Sequence, residues 1–428
     1  MAINPDILKT VIVDSISSIK KLTCHERAIR LEENMPYILT GVRRAGKSFV
    51  LYQIMHNLAR KGFSWEDFLY INFEDERLTA FSSEDFNSLL QAHYTLYQKE
   101  VICFFDEIQI VDGWEKFARR LADEKRQVYI TGSNARMLSK EMSSTLGGRY
   151  LIKEIYPYHF PEYLAANGVD LSEPVLFSTK GRAELERCFS DYFRTGGFPE
   201  LINLQLKRDY LSSIYQKIYL ADIGMRHGIS NPKALEILIK KIAESVCHPI
   251  SFSRLTNIVK SIGIPVGKST VIRYIECAQE SFLILRVENY RARFVERESE
   301  PKYYFIDNGL LNLFLVDPDA ALLENLVAVN LIRRYGIDQV FYYKKNVELD
   351  FYVPSKSLAI QVCYSLGRSD TADREISSLT KAADFLSADN RLIITRSEKN
   401  LITNKGKEIR VIPASEWLLG LERASISL

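Results

Sequence analysis

Between residues 36 and 157, five short apolar segments alternate with stretches of helical periodicity. The segments are YILT (37–40), FLYINFED (68–75), VICFFDE (101–107), QVYITGSN (127–134) and YLIKEIYP (150–157). Strands buried on both faces read as continuous apolar runs, and the helices between them form the crossovers that parallel strands require. We therefore predict an α/β protein whose N-terminal part is a parallel sheet with flanking helices.

The rest of the chain has two further patterns. The 428 residues exceed one ordinary core, so several domains are expected. After the first sheet the sequence is mainly helical, and residues 251–290 contain two short amphipathic helices followed by the strand-like FLILRV, a pattern typical of a helix-turn-helix or winged helix. From residue 301 strands and helices alternate again. We predict domains at residues 1–160, 161–298 and 299–428.

Composition excludes several classes of protein. With 46% hydrophobic and 26% charged residues and a net charge of +2, the chain is neither a disordered polymer nor a polycation attracted generally to nucleic acid or anionic membranes. Its six cysteines are scattered without a CxxC pair, as is typical of reduced thiols in the cytosol. We find no signal-peptide pattern and no run of about twenty apolar residues. We therefore expect a cytoplasmic protein that does not contact the membrane.

The first apolar segment leads directly into GVRRAGKS, Gly41–Ser48. This sequence matches the phosphate-binding loop GxxxxGK[ST] at every required position, and a helical segment follows it. Glycine is needed where backbone N–H groups wrap a phosphate, the lysine reaches the β- and γ-phosphates, and the serine hydroxyl binds Mg²⁺. We predict that ATP and Mg²⁺ are the cofactors. The expected nucleotide-binding residues are Gly41, Val42, Arg43, Arg44, Ala45, Gly46, Lys47, Ser48 and Phe49.

The apolar segment VICFFDE ends in two carboxylates, about sixty residues after this loop. Asp106 is expected to hold the Mg²⁺ shell together with Ser48. Glu107 would lie at the carboxyl end of its strand, where ligands of open α/β sheets bind, and would activate the attacking water. A solvated strand end is the alternative interpretation of the pair when it is taken without the loop.

Two further sets of polar residues are candidates for catalysis. Ser133 and Asn134 end a later strand and are predicted to contact the γ-phosphate or orient the water, although a turn with a Ser or Asn helix cap would look the same. Arg149 precedes the last strand of the first domain. It would act as an arginine finger within its own chain or on a neighbouring subunit, unless it is an ordinary surface arginine.

A second GKST sequence, at residues 267–270, lacks the required spacing because its upstream glycine, Gly263, is one residue too close. We interpret it as the turn between two helices and expect Ser269 or Thr270 to cap the second one.

Several motifs along the chain can be compared together: GVRRAGKS, NFEDERL (72–78), FFDEIQ, ITGSN, LGGRY, PELI, FIDNGL, LLEN and ELDFYV. With them the chain resembles a large prokaryotic group of AAA-type ATP-binding proteins whose C-terminal half is a domain of unknown function (DUF4143) with restriction-endonuclease-like character. The resemblance covers nearly the whole chain. It implies an AAA+ type P-loop ATPase domain, a winged-helix region and a nuclease-like module, and it matches Arg149 to the arginine of a GRY-like step.

Metal-dependent nucleases of the PD-(D/E)xK kind need acidic residues on adjoining strands, a nearby lysine and often a helical carboxylate. Glu324 and Asp350 match two of these roles, but Gln361 and Cys363 stand where a carboxylate and the lysine are expected. We therefore predict a degenerate nuclease-like domain without phosphodiester cleavage. A lysine from the following helix, such as Lys381, would be needed to restore the site.

Three functions remain in competition at this point. The first is an ATPase that uses ATP binding and hydrolysis to remodel or switch an unknown protein partner, with assembly into a homo-oligomer as a further candidate property. The second is a DNA-binding regulator in which ATP is a slowly hydrolysed ligand and residues 251–290 contact the duplex. The third is an ATP-gated nuclease. Glu107 favours turnover over simple binding.

Overall fold

The computed structural model describes residues 3–133, 145–172, 178–290, 297 and 300–420. The chain divides into two compact units, residues 1–155 and residues 156–428. In the part of the chain described, no helix is long and apolar enough to cross a membrane.

The first unit contains a five-stranded sheet in which every neighbouring pair of strands is parallel, in the order β2-β3-β4-β1-β5. Its strands are β1 (Tyr37–Thr40), β2 (Phe68–Asn72), β3 (Ile102–Asp106), β4 (Val128–Gly132) and β5 (Leu151–Glu154). Each lies inside one of the five apolar segments of the sequence. The α/β fold class and the parallel N-terminal sheet are therefore confirmed.

The helices with described bounds beside this sheet are α1 (Pro5–Ile19), α2 (Lys47–Arg60), α3 (Phe86–Tyr97) and α4 (Trp114–Asp123). Helix α4 buries its apolar side, including Phe117 and Leu121, in one cluster with the sheet residues Phe105 and Ile130. Because the strands are parallel, all five carboxyl ends lie at one edge of the sheet. The loop between β1 and α2 starts at that edge.

The second unit begins with helices, as predicted: α5 (Phe160–Ala166), α6 (Thr179–Thr195), α7 (Lys207–Lys217), a π-helical segment (Ile218–Met225), α8 (Pro232–Glu244), α9 (Phe252–Ser261) and α10 (Lys268–Glu280). Helix α10 begins directly after Gly267, and its N-cap makes no side-chain hydrogen bond. The expectation that Ser269 or Thr270 caps this helix is therefore wrong. Gly267 is the N-cap, so Ser269 and Thr270 lie inside the first turn of the helix and not before it.

An eight-stranded mixed sheet completes the second unit, in the order β12-β13-β11-β10-β9-β8-β6-β7. Its strands are β6 (Ile284–Asn289), β7 (Lys302–Phe305), β8 (Phe341–Lys344), β9 (Glu348–Val353), β10 (Leu358–Val362), β11 (Asn390–Thr395), β12 (Asn400–Asn404) and β13 (Lys407–Pro413). The remaining helices are α11 (Asn308–Leu311), α12 (Asp319–Tyr335), α13 (Ser369–Leu386) and α14 (Ala414–Leu419). Strands β6 and β7 form an antiparallel pair, so a boundary at residue 298 would lie between two paired strands.

Candidate nucleotide-binding site

The loop of residues 41–48 has a backbone that depends on its glycines. A Cβ on Gly41 would lie 2.1 Å from the carbonyl oxygen of Ile155, which is closer than atoms can approach. Gly46 has φ 90° and caps α2 without a side-chain hydrogen bond, a conformation that suits glycine. The first N–H groups of α2 have no partner within the helix, so its N-terminus is suited to an anion.

Lys47 is the first residue of α2 and is buried. Its ammonium donates to the carbonyl oxygens of Gly41 and Val42, at 3.2 and 3.3 Å. The same nitrogen lies 3.6 Å from Oε1 of Glu107. The lysine predicted to bind phosphate and the glutamate predicted to activate water are therefore in contact.

Asp106 is the last residue of β3 and Glu107 follows it, at the edge of the sheet from which the loop starts, and both are buried. The Thr131 hydroxyl, from β4, donates to one oxygen of Asp106. The Tyr70 hydroxyl, from β2, donates to the other at 2.8 Å. Thr131 Oγ1 also accepts the backbone N–H of Glu107 at 2.9 Å. Glu107 has φ 52°, an uncommon conformation for a residue with a side chain, and this hydrogen bond helps to fix it.

The two adjacent carboxyl groups have pKa values shifted in opposite directions. Burial raises the pKa of Asp106 and the charge of Glu107 raises it further, while hydrogen bonds from hydroxyl groups oppose the rise only in part. Burial would also raise the pKa of Glu107, but the Lys47 ammonium, with smaller contributions from Gln109 and Arg43, lowers it below its usual value. Glu107 is therefore ionised at neutral pH, as a general base must be.

The residues predicted to hold Mg²⁺ fit that role chemically. The side chain of Ser48 lies close enough to the buried carboxyl group of Asp106 to lower its pKa, so two oxygen ligands from α2 and β3 already lie together. Oxygen atoms are the ligands that Mg²⁺ prefers, with substrate phosphates supplying others.

The other predicted nucleotide-binding residues lie around the loop. Arg43 is paired with Glu74 at 3.0 Å. Arg44 is exposed and has φ 66°. Phe49, in the first turn of α2, is 49% exposed and its ring packs beside that of Tyr52.

Of the two candidates after β4, only Ser133 can be placed. It is buried, and among the described residues its hydroxyl has no hydrogen-bond partner of good geometry. It nevertheless lies close enough to Glu107 to contribute to the low pKa of that carboxyl group. Asn134 lies outside the described residues.

Arg149 is not brought to the phosphate-binding loop of its own chain. Leu151 at the start of β5 pairs with Tyr37 at the start of β1, so Arg149 precedes the amino end of the sheet, whereas the loop follows the carboxyl end. At about 3.3 Å per residue the four residues of β1 separate the two ends by roughly 13 Å, and Arg149 lies two residues before β5. The Arg149 guanidinium instead contacts the carboxylate of Asp123.

Three contributors to this site were not selected from the sequence. Thr131 and Tyr70 hold Asp106, and Arg27, from the segment before β1, donates to the carbonyl oxygen of Ala45 at 2.8 Å. Arg27 is buried and also pairs through its backbone with Gln53 of α2. Polar residues inside apolar strands were a visible signal for Thr131 and Tyr70, whereas Arg27 lies in a segment without any periodic pattern.

The fold and this loop define the class of protein, an AAA-type P-loop ATPase-like domain joined to a second unit. A family model described as "AAA domain" matches residues 33–164, and one described as "Domain of unknown function (DUF8612)" matches residues 186–320. The AAA-type part of the expected resemblance is thus confirmed, and the specific domain DUF4143 is not.

Two curated relatives match over most of their length. An uncharacterized protein of Methanocaldococcus jannaschii, MJ1544, is 34% identical over 431 residues, covering 96% of this chain and 95% of the relative. An uncharacterized protein of Haemophilus influenzae is 31% identical over 397 residues, covering 89% of this chain and 94% of the relative. The chain belongs to the family that these uncharacterized proteins form.

Solved structures give weaker likenesses. The Walker-type ATPase PABY2304 of Pyrococcus abyssi has 13% identity and a TM-score of 0.38, covering 69% of this chain and 99% of that one. The Aeropyrum pernix ORC1 protein in complex with DNA has 13% identity and a TM-score of 0.29, covering 77% of this chain and 95% of that one. Scores this low do not support an argument about function.

Proposed function

We propose that the protein is an Mg²⁺-dependent ATPase of the AAA type, which couples ATP binding and hydrolysis to remodelling or switching of a partner. The observation that carries the proposal is the position of Glu107. Its ionised carboxylate lies 3.6 Å from the ammonium of Lys47 in the P-loop, and its backbone is held by Thr131. A P-loop used only for binding has no need of a fixed carboxylate there.

The roles of Lys47, Ser48, Asp106 and Glu107 follow from their contacts. The N–H groups of the loop and the ammonium of Lys47 bind the phosphates, and Ser48 and Asp106 would hold Mg²⁺, which neutralises charge on the β- and γ-phosphate oxygens when bound. An incoming γ-phosphate gives Lys47 a new anionic partner. Glu107 is then released from its contact with Lys47 and accepts a proton from the attacking water, with Ser133 and Asn134 proposed to orient that water.

Arg149 enters this proposal only through assembly. Because it precedes the amino end of β5, it would reach a γ-phosphate on a neighbouring subunit and not the one bound by its own loop. Its catalytic role therefore requires a homo-oligomer, which we propose together with it. The unknown partner that is remodelled is a separate molecule.

The test of the proposal is ATP binding and steady-state phosphate release with Mg²⁺. We expect Lys47→Ala to lose ATP binding and turnover together, because the ammonium contacts the phosphates in every step. Lys61→Ala is the matched control, since Lys61 is an exposed lysine near the end of the same helix, paired with Glu33. Wild-type protein that binds ATP but releases no phosphate under any condition would reduce the function to ATP binding.

A second candidate function is ATP-regulated DNA binding through residues 251–290. The observation that favours it is local: α9 and α10 are consecutive amphipathic helices followed by the antiparallel β6–β7 pair, the order found in a winged helix. Arg254 and Lys268 are exposed on these helices. Fluorescence anisotropy with duplex DNA, with and without ATP, tests it. Unchanged affinity in Arg254→Ala and Lys268→Ala would contradict binding through these helices.

A further inference from the structure

The second unit contains a buried lysine among carboxylates, away from the nucleotide site. Lys302, the first residue of β7, is completely buried. Its Nζ lies 3.1 Å from Oε1 of Glu324 on α12, 3.4 Å from Oδ1 of Asp350 on β9 and 3.6 Å from Oε1 of Glu348 on the same strand. Glu324 and Asp350 are the carboxylates that the sequence assigns to a nuclease-like metal site. The lysine was not predicted to lie there.

The carboxylates of this cluster have further partners. Tyr304, two residues after Lys302, donates its hydroxyl to Glu324 at 2.8 Å. The N–H of Val362, at the end of β10, donates to the second oxygen of Asp350 at 2.9 Å. Buried charges are tolerated when they are paired and hydrogen-bonded in this way.

The lysine carries its proton in this environment. Burial alone would lower the pKa of Lys302, but Glu324, Asp350 and Glu348 raise it above its usual value. The ring of Tyr342, whose centroid is 5.6 Å from Nζ, adds a favourable cation–π contact. A full positive charge therefore sits among the three carboxylates.

A divalent cation does not fit the same position. Mg²⁺ binds oxygen ligands at about 2.0–2.1 Å, and the ammonium already contacts an oxygen of each of the two carboxylates that would supply them. The next strand does not compensate, because Gln361 is neutral and its amide nitrogen donates to Glu375 at 2.8 Å. Throughout the residues with assigned positions, no group of three or more His, Cys, Asp or Glu side chains is arranged to hold a metal ion.

We propose that Lys302 is a built-in cation that takes the place of a divalent metal between Glu324 and Asp350. The ammonium joins α12, β7 and β9 in the way a structural metal would, and it leaves the cluster without affinity for Mg²⁺ or Mn²⁺. The lysine that a nuclease would use beside its metal is absent from β10, and Lys381 is an exposed residue of α13. This cluster then has no metal-dependent cleavage chemistry. This inference is independent of the proposed ATPase function.

The test is a Mn²⁺ titration of the full-length protein without nucleotide. The amount of bound Mn²⁺ is measured from the electron paramagnetic resonance signal of the Mn²⁺ that remains free. Wild type and Asp350→Asn are expected to bind the same amount of Mn²⁺. Any Mn²⁺ bound at the P-loop is common to both proteins, and the cluster around Lys302 binds none in either. Lys302→Met removes the charge and is expected to gain one Mn²⁺ per chain, which Lys302→Met/Asp350→Asn loses again. Lys344→Met is the matched control, because Lys344 is a partly exposed partner of Glu348, and it is expected to gain none.

Two results would overturn the proposal. One is that wild type binds a Mn²⁺ ion that Asp350→Asn does not bind, which would show that the carboxylates already bind metal beside the lysine. The other is a folded Lys302→Met that gains no Mn²⁺. If Lys302→Met does not fold, the comparison of wild type with Asp350→Asn decides alone. Equal Mn²⁺ binding by the two proteins would support the proposal, and one Mn²⁺ fewer in Asp350→Asn would contradict it.

Discussion

At the scale of single residues, the nucleotide site depends on one hydroxyl group more than its sequence pattern indicates. Thr131 donates to Asp106 and accepts from the N–H of Glu107, so it fixes both carboxylates relative to β4. Glu107 has a left-handed backbone conformation, which is maintained only where surrounding contacts determine it. Thr131 is therefore a positioning residue for the proposed water activation.

The first residue-scale prediction concerns Thr131→Val, which keeps the β-branched shape and removes the hydroxyl. It leaves a buried N–H and a buried carboxylate oxygen each short of a partner, at a cost of about 1–3 kcal/mol in the free energy of unfolding. Displacement of Glu107 should lower kcat for ATP by roughly 10-fold to 100-fold, with little change in ATP affinity. Urea unfolding and steady-state kinetics measure the two effects.

Thr131→Ser is the matched variant, because it retains the hydroxyl and loses only a methyl group. It should recover most of the lost turnover. If Thr131→Ser and Thr131→Val are equally slow, the methyl packing matters and the hydroxyl does not hold Glu107.

At the scale of elements, the glycines after α6 are explained by a loop that packs against a buried carboxylate. Asp307 accepts the N–H groups of Gly197 and Gly309, each at 2.8 Å. A Cβ on Gly196 would lie 1.9 Å from Oδ1 of Asp307, and one on Gly309 would lie 2.1 Å from the carbonyl oxygen of Thr195. The segment RTGGFPE (194–200) and the motif FIDNGL (305–310) are therefore two halves of one contact within the second unit.

Asp307 makes stability depend on pH. Burial raises its pKa from the usual value near 3.8 to about 6, although backbone N–H groups act to lower it. The folded state thus binds the proton more tightly than the unfolded state, so the stabilisation from this group is complete below pH 4 and is lost as the pH rises to about 6. A rise from 3.8 to about 6 corresponds to about 3 kcal/mol.

The prediction is tested by urea unfolding of wild type and Asp307→Asn at several pH values. The free energy of unfolding of wild type, relative to Asp307→Asn, should fall by up to about 3 kcal/mol between pH 4 and 6.5 and then level off. A difference that is constant across this range would mean that Asp307 titrates normally.

The sequence predicted the positions of many strands well. It did not predict which strands pair in the second sheet. Strand β1 coincides with the segment YILT (37–40) and strand β9 with the motif ELDFYV (348–353), since turn signals and apolar runs are local properties. The β12–β13 hairpin was missed because β12 is mostly exposed and the buried apolar residues of β13 are interrupted by charged ones, so neither strand has a continuous apolar run. Lys302 was missed for another reason. Its contacts with Glu324 and Asp350 bridge 22 and 48 residues, and no local pattern encodes them.

At the scale of the whole molecule, both units belong to the family, because the match with the relative from Methanocaldococcus jannaschii covers 96% of this chain. The loop, Asp106 and Glu107 were predictable because their chemistry fixes residue type and spacing. Arg149 is the contrasting case: the sequence placed it in the same domain, but the direction of β5 places it at the opposite edge of the sheet.

If Arg149 acts between subunits, a mixture of Arg149→Ala and Glu107→Gln should hydrolyse ATP faster than either variant alone.

The most direct measurement of the central claim is ATP turnover by Glu107→Gln, with ATP affinity measured in parallel. The substitution keeps the size and hydrogen-bonding shape of the side chain and removes its ability to accept a proton, so affinity should stay within a few-fold while kcat falls by about 10²–10⁴-fold. Glu100→Gln, an exposed glutamate of the same unit, should behave as wild type. Hydrolysis by Glu107→Gln at the wild-type rate would contradict the assignment of Glu107 as the residue that activates water.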